Sequence, residues 1–403
     1  MKLFKEKKEC CACGACLNIC PQKAIFMKED EYGYLYPYID KTKCINCKIC
    51  QKICPSQNVI NINWPINVYG ASSIYDKQIL KSASGGVFAT FAVEILKNAG
   101  VVFGVTLDYS KEILQPLHIG ITNLKNLSKL QGSKYVQSLI GTTYQEAKNY
   151  LDSGKMVLFS GTPCQIAGLK SYLGKDYDKL ITMDIICHGV PNAKFFQDYL
   201  KNVENKYKIK IIDFKFRDKS KGWGCNGKII YKTLSNEKKE RIISCKESSY
   251  YDLFLKSDIY RESCYECKYA SINRQGDISI GDYWGIEKEY PDLFRDSNCM
   301  FSIKKGVSCI MVNTLKGNKY FHKINSYLNI KDTSFEQVAL RNDQLNFPSK
   351  RGIRREKILK IYKNEGYKAV EEFFKKEIGF KIYIYKMKKI VPVSIKNLIK
   401  KYK

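Results

Sequence analysis

Two runs of cysteines near the start of the chain share one spacing. Each reads C-x2-C-x2-C-x3-C-P, with Cys10, Cys13, Cys16 and Cys20 before Pro21 in the first run, and Cys44, Cys47, Cys50 and Cys54 before Pro55 in the second. Three cysteines at gaps of two residues bind three corners of one 4Fe-4S cluster, and the fourth, turned away by the proline, reaches the other cluster. The spacing predicts one cluster on Cys10, Cys13, Cys16 and Cys54, and a second on Cys20, Cys44, Cys47 and Cys50. Two zinc knuckles are the alternative, but a tetrahedral zinc site needs four cysteines and not this repeated run.

Four further cysteines are placed for metal chemistry. Cys164 lies in "SGTPCQIAGL", between a strand-like and a helix-like run, Cys187 ends the next strand-like run, and Cys264 and Cys267 form a C-x2-C pair. If the two strands are neighbours, Cys164 and Cys187 meet above one sheet edge, and the pair completes a set of four thiols. Two alternatives stay open for Cys164. It is a nucleophile with His188 as its base, since a helix N-terminus lowers a thiol pKa, or it is a plain buried residue. Cys11 is left over.

Composition narrows the class of protein. The chain has 403 residues and seventeen cysteines, and it shows neither a signal peptide nor a run of about 18 apolar residues. Cytosolic thiols are kept reduced, so this cysteine content favours metal binding over disulfides. With no signal peptide or membrane span in view, we expect a cytoplasmic location. The net charge is +28, and residues 350–403, with 18 Lys or Arg against 5 Glu, contribute +13 of it. No nucleic-acid-reading module accompanies that charge, so binding to nucleic acid is not expected.

The elements that must position these residues divide the chain into three parts. Residues 1–62 are expected to form a small α+β two-cluster ferredoxin domain, with a hairpin between its cysteine runs. Residues 63–345 repeat a rhythm of strand, short loop and helix, which predicts an α/β body with a mainly parallel or mixed sheet, in parts of about 63–150 and 151–345. Residues 346–403 are expected to form a basic helical tail. An amphipathic tail can rest on anionic lipid at the inner face of the membrane, and a helix packed on the body is the alternative.

The motifs, in their order along the chain, carry a resemblance to a known family. They are the twin ferredoxin runs, "SASGGVFA" (82–89), "QGSKYVQS" (131–138), "SGTPCQIAGLK" (160–170), "CHGVP" (187–191), "FRDKSKGW" (216–223), "CYECKYA" (264–270) and "RQGDISIGDYWGI" (274–286). Together they resemble the beta-subunit family of coenzyme F420 hydrogenases and dehydrogenases, preceded by a two-cluster 4Fe-4S ferredoxin domain. The resemblance implies a flavin, usually FAD, and a third 4Fe-4S cluster on Cys164, Cys187, Cys264 and Cys267.

The resemblance also directs attention to candidate flavin-binding and catalytic residues. The candidates for flavin binding are Ser82, Ser84, Gly85, Gly86, Ser133, Lys134 and Tyr135. A Ser-Gly-Gly turn at a helix start can offer amides to a phosphate, a lysine can neutralise it, and a tyrosine can stack on a ring. His188 is the candidate proton donor to substrate or flavin, and a second-layer hydrogen bond to cluster sulfur is its alternative role. Arg217, Asp218, Lys219, Asp277 and Asp282 form a charged set, for either a substrate pocket or structural ion pairs.

These inferences predict an iron-sulfur flavoprotein oxidoreductase. Electrons pass from the ferredoxin-type clusters through the flavin to an organic acceptor, which is F420-type or unidentified, and similar bacterial family members look linked to surface-polysaccharide synthesis. The expected partners are a redox protein or reduced ferredoxin and a small-molecule acceptor. The alternative is an electron-transfer subunit that serves a partner protein and has no substrate of its own. Family resemblance does not fix the acceptor, the direction of electron flow, or the choice of FAD over FMN.

Overall fold

The computed structural model describes residues 3–58, 63–295 and 299–390. Its strands are β1 Ile25–Glu29, β2 Leu35–Ile39, β3 Asn67–Ser73, β4 Val101–Asp108, β5 Gln115–Ile121, β6 Val157–Gly161, β7 Leu180–Ile185, β8 Lys210–Lys215, β9 Gly227–Lys232, β10 Lys238–Ile243, β11 Ile278–Asp282, β12 Ser308–Val312 and β13 Leu328–Thr333. Its helices are α1 Ala15–Ile19, α2 Ile49–Lys52, α3 Asp76–Lys81, α4 Val87–Lys97, α5 Leu127–Leu130, α6 Thr143–Asp152, α7 Pro163–Leu173, α8 Ala193–Tyr207, α9 Ser249–Leu255, α10 Ile286–Glu289, α11 Leu315–Ile324, α12 Phe335–Ala339 and α13 Arg355–Ile390.

Eight strands form the mixed sheet of the body, in the order β13-β3-β12-β11-β7-β6-β4-β5. The central neighbours β11, β7, β6 and β4 are parallel, and the outer pairs are antiparallel. Alternate residues of each strand face opposite sides. Val102 thus packs toward α4 and α11, while Val101 and Phe103 pack toward α6 and α7. The predicted α/β body with a mixed sheet is confirmed.

The strands before Cys164 and Cys187 lie side by side, as the sequence predicted. β6 and β7 are parallel, and Gly161 is in register with Asp184. Cys164 lies three residues after Gly161, and Cys187 lies three residues after Asp184. Both thiols therefore emerge at the carboxyl edge of the sheet, where α/β proteins place their functional groups.

A second, smaller sheet extends the body. β8, β9 and β10 form an antiparallel sheet, and its apolar face packs with α8, α9 and α13 in a core rich in aromatic rings. The same core receives Tyr135 from the loop after α5. This second core places the segment 216–223, which follows β8, over the edge of the large sheet, so the two sheets together can shape a site.

The N-terminal region is built on a hairpin. β1 and β2 pair antiparallel, with Ile25 opposite Ile39, which confirms the hairpin expected between the two cysteine runs. The short helices α1 and α2 each contain a cysteine of their run. The buried ring of Tyr34 lies in the turn before β2, and its hydroxyl donates to the body at the carbonyl oxygen of Ile259, 3.0 Å away. The hairpin is thus attached to the body.

The C-terminal helix α13 is part of the body core over its first turns. It is bent at Gly366, where φ is 77°. Seven of its described side chains are buried: Arg355, Ile358, Leu359, Tyr362, Tyr367, Val370 and Phe374. Residues 391–403 lie outside the described residues, so the predicted lipid contact of this basic segment stays a prediction. None of the described helices is long and apolar enough to cross a membrane.

Candidate functional site

The four cysteines predicted to bind the second cluster line one open cavity. Its walls are Cys20, Pro21, Gln22, Ala24, Ile25, Ile39, Cys44, Ile45, Cys47, Ile49 and Cys50. Its lining is almost entirely apolar apart from the thiols. Thiols set in such walls fit a 4Fe-4S cluster, whose potential depends on the surrounding dielectric and on solvent access. Cys47 is exposed, whereas Cys50 is buried, so the cavity has one side toward solvent.

The other four predicted ligands of the N-terminal region are Cys10, Cys13, Cys16 and Cys54. The thiols with which Cys16 interacts are Cys10, Cys54 and, from the other set, Cys50, although Cys54 is far from Cys16 in sequence. Burial raises the pKa of the Cys10 thiol to about 12. Iron binding to such thiols must displace protons, so cluster assembly and deprotonation are coupled. This grouping is the one predicted for the first cluster, and the ligand roles themselves stay predictions.

The loop of the first cluster is docked directly on helix α7 of the body. Cys13 packs so closely on Gly168 that a Cβ atom added to the glycine would lie 3.0 Å from the Cys13 Sγ atom and 2.9 Å from the Tyr144 hydroxyl. That hydroxyl lies 2.7 Å from the carbonyl oxygens of both Cys13 and Gln165. No side chain fits at position 168 without a shift, and glycine therefore sets the distance between the cluster loop and the helix.

A buried arginine links the same loop to the rest of the body. Arg261 has 0% exposure, and its guanidinium donates to the carbonyl oxygens of Cys10 (3.2 Å) and Leu35 and to the Gln137 side chain (2.9 Å). Gln137 in turn donates to the carbonyl oxygen of Cys11, at 3.0 Å. A buried cation must be surrounded by acceptors. Here those acceptors belong to the N-terminal region and the body alike, which holds the two in one arrangement.

Local structure explains how Cys164 is held at the sheet edge. It is the second residue of α7, which begins with a capping box between Thr162 and Gln165 and has Pro163 in its first turn. The Thr162 hydroxyl lies 3.1 Å from the Cys164 Sγ atom. The capping residues fix the first turn, and the cysteine side chain then projects from the start of the helix.

The other three body thiols gather beside it. Cys187 lies two residues beyond β7, Cys264 ends the 3-10 turn Glu262–Cys264, and Cys267 follows one turn later. Burial, with a smaller contribution from the nearby Cys267, raises the pKa of Cys187 to about 12. Cys187 interacts electrostatically with Cys164 on one side and with Cys264 and Cys267 on the other. Within the described residues, no three thiol, imidazole or carboxylate groups are close enough to hold a single metal ion, and a cluster on these four thiols stays a prediction.

A buried ion pair fixes the loop that carries the C-x2-C pair. Arg274 donates to Asp184 at 2.8 Å, and these side chains are 1% and 0% exposed. The same carboxylate accepts from the backbone amides of Gln275 (2.9 Å) and Gly276 (2.8 Å). Arg274 also bonds the hydroxyl of Ser279 and backbone carbonyls of its own loop. Asp184 is in β7, just before Cys187, so one charge pair orients both sources of thiols.

A second polar cluster lies next to the thiols. Arg217 donates to the two carboxylate oxygens of Asp282 at 3.0 and 3.2 Å and to the Tyr135 hydroxyl at 3.0 Å. The Arg217 side chain is 2% exposed, and its Nε atom has no hydrogen-bond partner among the described residues. A buried guanidinium nitrogen without an acceptor is costly. An acceptor from a bound group would therefore be favourable at this nitrogen.

Two stacked indole rings border this arginine. The rings of Trp223 and Trp284 lie 4.4 Å apart and 13° from parallel, and the Arg217 guanidinium lies 5.2 Å from the Trp284 ring centre. Trp223 also donates to Asp282, at 2.8 Å. Next to them, burial lowers the pKa of Lys219 to about 7, with the positive charge of Arg217 as a further cause. This cluster combines planar faces with two cations, as anionic ring ligands require.

The predicted flavin-binding residues are partly brought into this cluster. Ser82, Ser84, Gly85 and Gly86 form the turn between α3 and α4, and Ser133, Lys134 and Tyr135 follow α5. Lys219 donates to the carbonyl oxygen of Ser84 at 2.5 Å, and Tyr135 contacts Arg217, so both loops border one site.

Several polar groups of these two loops are already used within the protein. The Ser84 hydroxyl donates to Val307, and the Gly85 amide donates to Ser308. A Cβ atom at Gly85 would overlap the carbonyl oxygen of Ala71, which explains the glycine by close backbone approach. The Lys134 ammonium bonds three backbone carbonyls of its own loop, and burial lowers its pKa to about 7. Their role in flavin binding remains a prediction.

His188 and the charged set separate into different environments. His188 is exposed beside Cys187, and the nearest charges include Asp282, Asp343 and Arg217. It therefore lies between the thiols and the Arg217 cluster, and its catalytic role stays a prediction. Two members of the charged set lie elsewhere: Asp218 pairs with Lys228, and Asp277 accepts from Thr182 and Thr314.

Three residues that the sequence did not single out prove central to these contacts. Arg261 joins the regions, Cys11 lies between thiols of the two regions, and Tyr269 is a buried ring at the same place. Cys11 was visible as an unassigned member of a Cys-Cys pair. Neither Arg261 nor Tyr269 stands in a spacing pattern, although both flank the C-x2-C pair.

Comparisons with known proteins bear on these groups. Residues 154–336 match the family described as coenzyme F420 hydrogenase/dehydrogenase, in the C-terminal part of its beta subunit, and residues 9–58 match a 4Fe-4S dicluster domain. No curated protein matches the chain in sequence. One matching solved structure is a chain of the xenon-derivatized F420-reducing NiFe hydrogenase complex from Methanosarcina barkeri. It is 17% identical, covers 78% of this chain and 95% of that chain, and has a TM-score of 0.43.

Proposed function

We propose that this iron-sulfur electron-transfer protein is an oxidoreductase with an internal electron path, because it matches a 4Fe-4S dicluster domain and the C-terminal region of the F420 hydrogenase/dehydrogenase beta-subunit family. Cys20 and its partners would hold the cluster at which single electrons enter, Cys10 and its partners the next cluster, and the body thiols a third. Arg217 and its neighbours would bind a flavin, which would supply the conversion of single electrons into the pair that a small organic acceptor needs.

The docking of Cys13 on Gly168 is the observation that carries this proposal. It places a predicted ligand of the dicluster domain against the helix that begins with Cys164. Tyr144 and Arg261 hold the same loop through hydrogen bonds to the carbonyl oxygens of Cys13 and Cys10. A dicluster domain that only travelled with the body on a linker would not need its cluster loop buried there. The buried loop supports a continuous route into the body.

The Arg217 cluster supports the flavin at the end of the route. Its unpaired Nε atom and the neighbouring Lys219 are suited to an anionic or carbonyl-rich ligand, and the paired indole rings offer planar surfaces. A bound flavin supplies the conversion between one-electron and two-electron chemistry. In this arrangement Arg217 binds the ligand, Asp282 orients Arg217, and His188 holds a proton near the acceptor.

The exposed side of the dicluster domain supports a redox protein as the electron donor. Phe26, Tyr38 and Ile45 lie at its surface with exposures of 45%, 50% and 61%, and Ile45 lines the cavity of the second cluster. The segments 23–29 and 40–52 carry the lysines Lys23, Lys28, Lys41, Lys43, Lys48 and Lys52 against the acids Glu29 and Asp40. Apolar residues ringed by positive charge fit a small acidic protein such as a ferredoxin.

One pair of glycine variants tests the route. Gly168→Ala inserts a methyl group against Cys13, whereas Gly379→Ala adds one in α13 with nothing within 4 Å. After anaerobic purification and analysis for iron, sulfide and flavin, both proteins should contain the wild-type cofactors. Reduced ferredoxin should then reduce the flavin more slowly in Gly168→Ala alone. Equal rates in both variants would remove the docked loop from the route.

The exposed patch also favours a second candidate function, that of an electron-transfer subunit without a substrate. In that case the protein passes electrons between two protein partners and binds no flavin. Protein purified anaerobically that neither contains nor takes up FAD or FMN, yet exchanges electrons with ferredoxin, would establish this candidate over the flavoprotein.

A further inference from the structure

Cys11 belongs to neither predicted ligand set, yet it lies where the two sets meet. Its Sγ atom lies 3.6 Å from the Ser56 hydroxyl, and its side chain packs against the buried core that contains Cys13 and, from α7, Ile166 and Leu169. Its thiol also interacts with those of Cys13 and Cys164. Cys13 is assigned to the dicluster domain and Cys164 to the body, so Cys11 lies near a predicted ligand of each region.

The backbone explains why Cys11 points away from the first cluster. Cys10 is extended, with φ of −117° and ψ of 111°, and consecutive side chains of an extended segment point to opposite sides. Cys10 faces its cluster group, so Cys11 faces the body. The Gln137 side chain, held by Arg261, donates to the Cys11 carbonyl oxygen at 3.0 Å and fixes this orientation.

A second, independent feature marks the same place. Tyr269 is 5% exposed, and its hydroxyl has no hydrogen-bond partner among the described residues. The thiols with which it interacts are Cys11, Cys164, Cys13 and Cys267. A buried hydroxyl without a partner is unfavourable unless a nearby group accepts its proton. The acceptor groups near this hydroxyl are cysteine sulfurs, and hydrogen bonds to sulfur tune the reduction potential of an iron-sulfur cluster.

We propose that Cys11 is a thiol that binds no iron and forms the contact through which electrons cross between the dicluster domain and the body thiols, with Tyr269 as the hydrogen-bond donor at that crossing. The inference rests on the proposed function, because it needs a cluster on the body thiols. The step moves one electron, so the donor is oxidised by one and the acceptor is reduced by one. No bond forms or breaks.

The test uses the full-length holoprotein, purified without oxygen, with Cys11→Ala and Cys11→Ser as variants. Serine keeps a hydrogen-bonding group toward Ser56 and guards against a folding defect in the alanine variant. Cys299→Ala, a thiol outside both groups, is the matched control. Iron content and EPR spectra are measured first, followed by freeze-quenched EPR after mixing with reduced ferredoxin.

The Cys11 variants should keep the wild-type iron content and the signals of all three clusters. Reduction of the body cluster should be slower in both Cys11 variants than in wild type and in Cys299→Ala, because the sulfur between the two regions is missing. Tyr269→Phe should keep the iron and shift the midpoint potential of the body cluster downward, because the reduced cluster loses a donor. A merely structural tyrosine would leave that potential unchanged.

Three results would overturn these assignments at different levels. Loss of about four irons in Cys11→Ala would make Cys11 a ligand. Full iron with a wild-type rate of body-cluster reduction would remove Cys11 from the route while the proposed function stands. Wild-type protein with about eight irons would instead overturn the body cluster, and with it the proposed electron path.

Discussion

The buried pair of Arg274 and Asp184 makes a quantitative prediction about the body cluster. In Asp184→Asn the side chain keeps its shape but loses its charge and one acceptor oxygen. In the wild-type protein, three donors converge on the Asp184 carboxylate: Arg274 and the amides of Gln275 and Gly276. The amide group of asparagine places N–H groups where one oxygen stood, so at least one of these donors loses its partner.

The expected loss of stability follows from the burial. Both side chains are at most 1% exposed, so solvent does not screen the arginine charge when its partner is neutral. Breaking a buried pair by removing one charge costs about 3–5 kcal/mol. Arg274 keeps other acceptors, namely the Ser279 hydroxyl and carbonyl oxygens of its own loop. The expected loss in the free energy of unfolding is therefore at the lower end, about 3 kcal/mol. That is a large part of the total of about 5–15 kcal/mol for a typical domain.

Urea unfolding and iron analysis of the anaerobic protein measure the two consequences. Asp184→Asn should unfold at lower urea and lose about four irons, because the loop that carries Cys264 and Cys267 is no longer fixed beside Cys187. Asp176→Asn is the matched control, since Asp176 pairs with Lys316 but is 77% exposed, and it should change stability by about 0.5 kcal/mol or less. An Asp184→Asn protein with the stability and iron of this control would refute the reasoning.

Three further predictions concern other parts of the molecule. Cys54→Ala should disrupt the cluster with Cys10 and slow flavin reduction by ferredoxin, while a small reductant that reaches the flavin directly still works; stopped-flow absorbance separates the two, and equal ferredoxin rates would refute the route. Lys219 has a folded-state pKa of about 7 against an ordinary 10.5, so above pH 7 the folded chain holds fewer protons than the unfolded chain, and its contribution to the free energy of unfolding rises with pH up to about 10.5. Lys219→Met should flatten this rise, which urea titrations at several pH values would measure. The same variant should remove the weakening of FAD binding that is expected as pH increases through 7, which FAD titrations at the same pH values would measure. Truncation after Ser349 should prevent stable folding, because each buried aliphatic or aromatic side chain of α13 contributes about 1.5–3 kcal/mol, whereas truncation after Glu377 should preserve the thermal unfolding midpoint and the clusters.

Local spacing was sufficient to predict the dicluster domain and the central parallel strands. The C-x2-C-x2-C-x3-C-P runs also predict which thiols share a cluster, since the short gaps leave few geometries, and those ligand sets stay predictions. The adjacency of β6 and β7 followed from two buried strand-like runs joined by one helix, because such a unit closes as a parallel pair. In both cases the residues that decide the structure lie within about one supersecondary unit of each other.

Contacts between distant segments could not be predicted in this way. β3 pairs with β12 and β13, more than 200 positions later, and no local pattern specifies such a partner. Arg261 is a single arginine in a polar stretch, where an exposed position is the usual expectation. Only the folded chain shows that it is buried between the hairpin and the body. The charged set was predicted as one group, but its members contact different distant segments. Asp277, for example, accepts a hydrogen bond from Thr182 and does not belong to the Arg217 cluster.

The attachment of the first domain to the last helix sets an order for biosynthesis. Tyr34 and Tyr36 of the hairpin pack with Leu359 of α13, so the contact surface of the N-terminal domain stays incomplete until nearly the whole chain has been made. The ligands from Cys10 to Cys54 leave the ribosome first, and at 5–20 residues per second the roughly 210 residues to Cys267 take about 10–40 s. During that interval the thiols and the docking face of the N-terminal domain are not yet covered by the body. Chain order therefore gives the dicluster domain its own period for loading, before the body closes over Cys11 and Cys13.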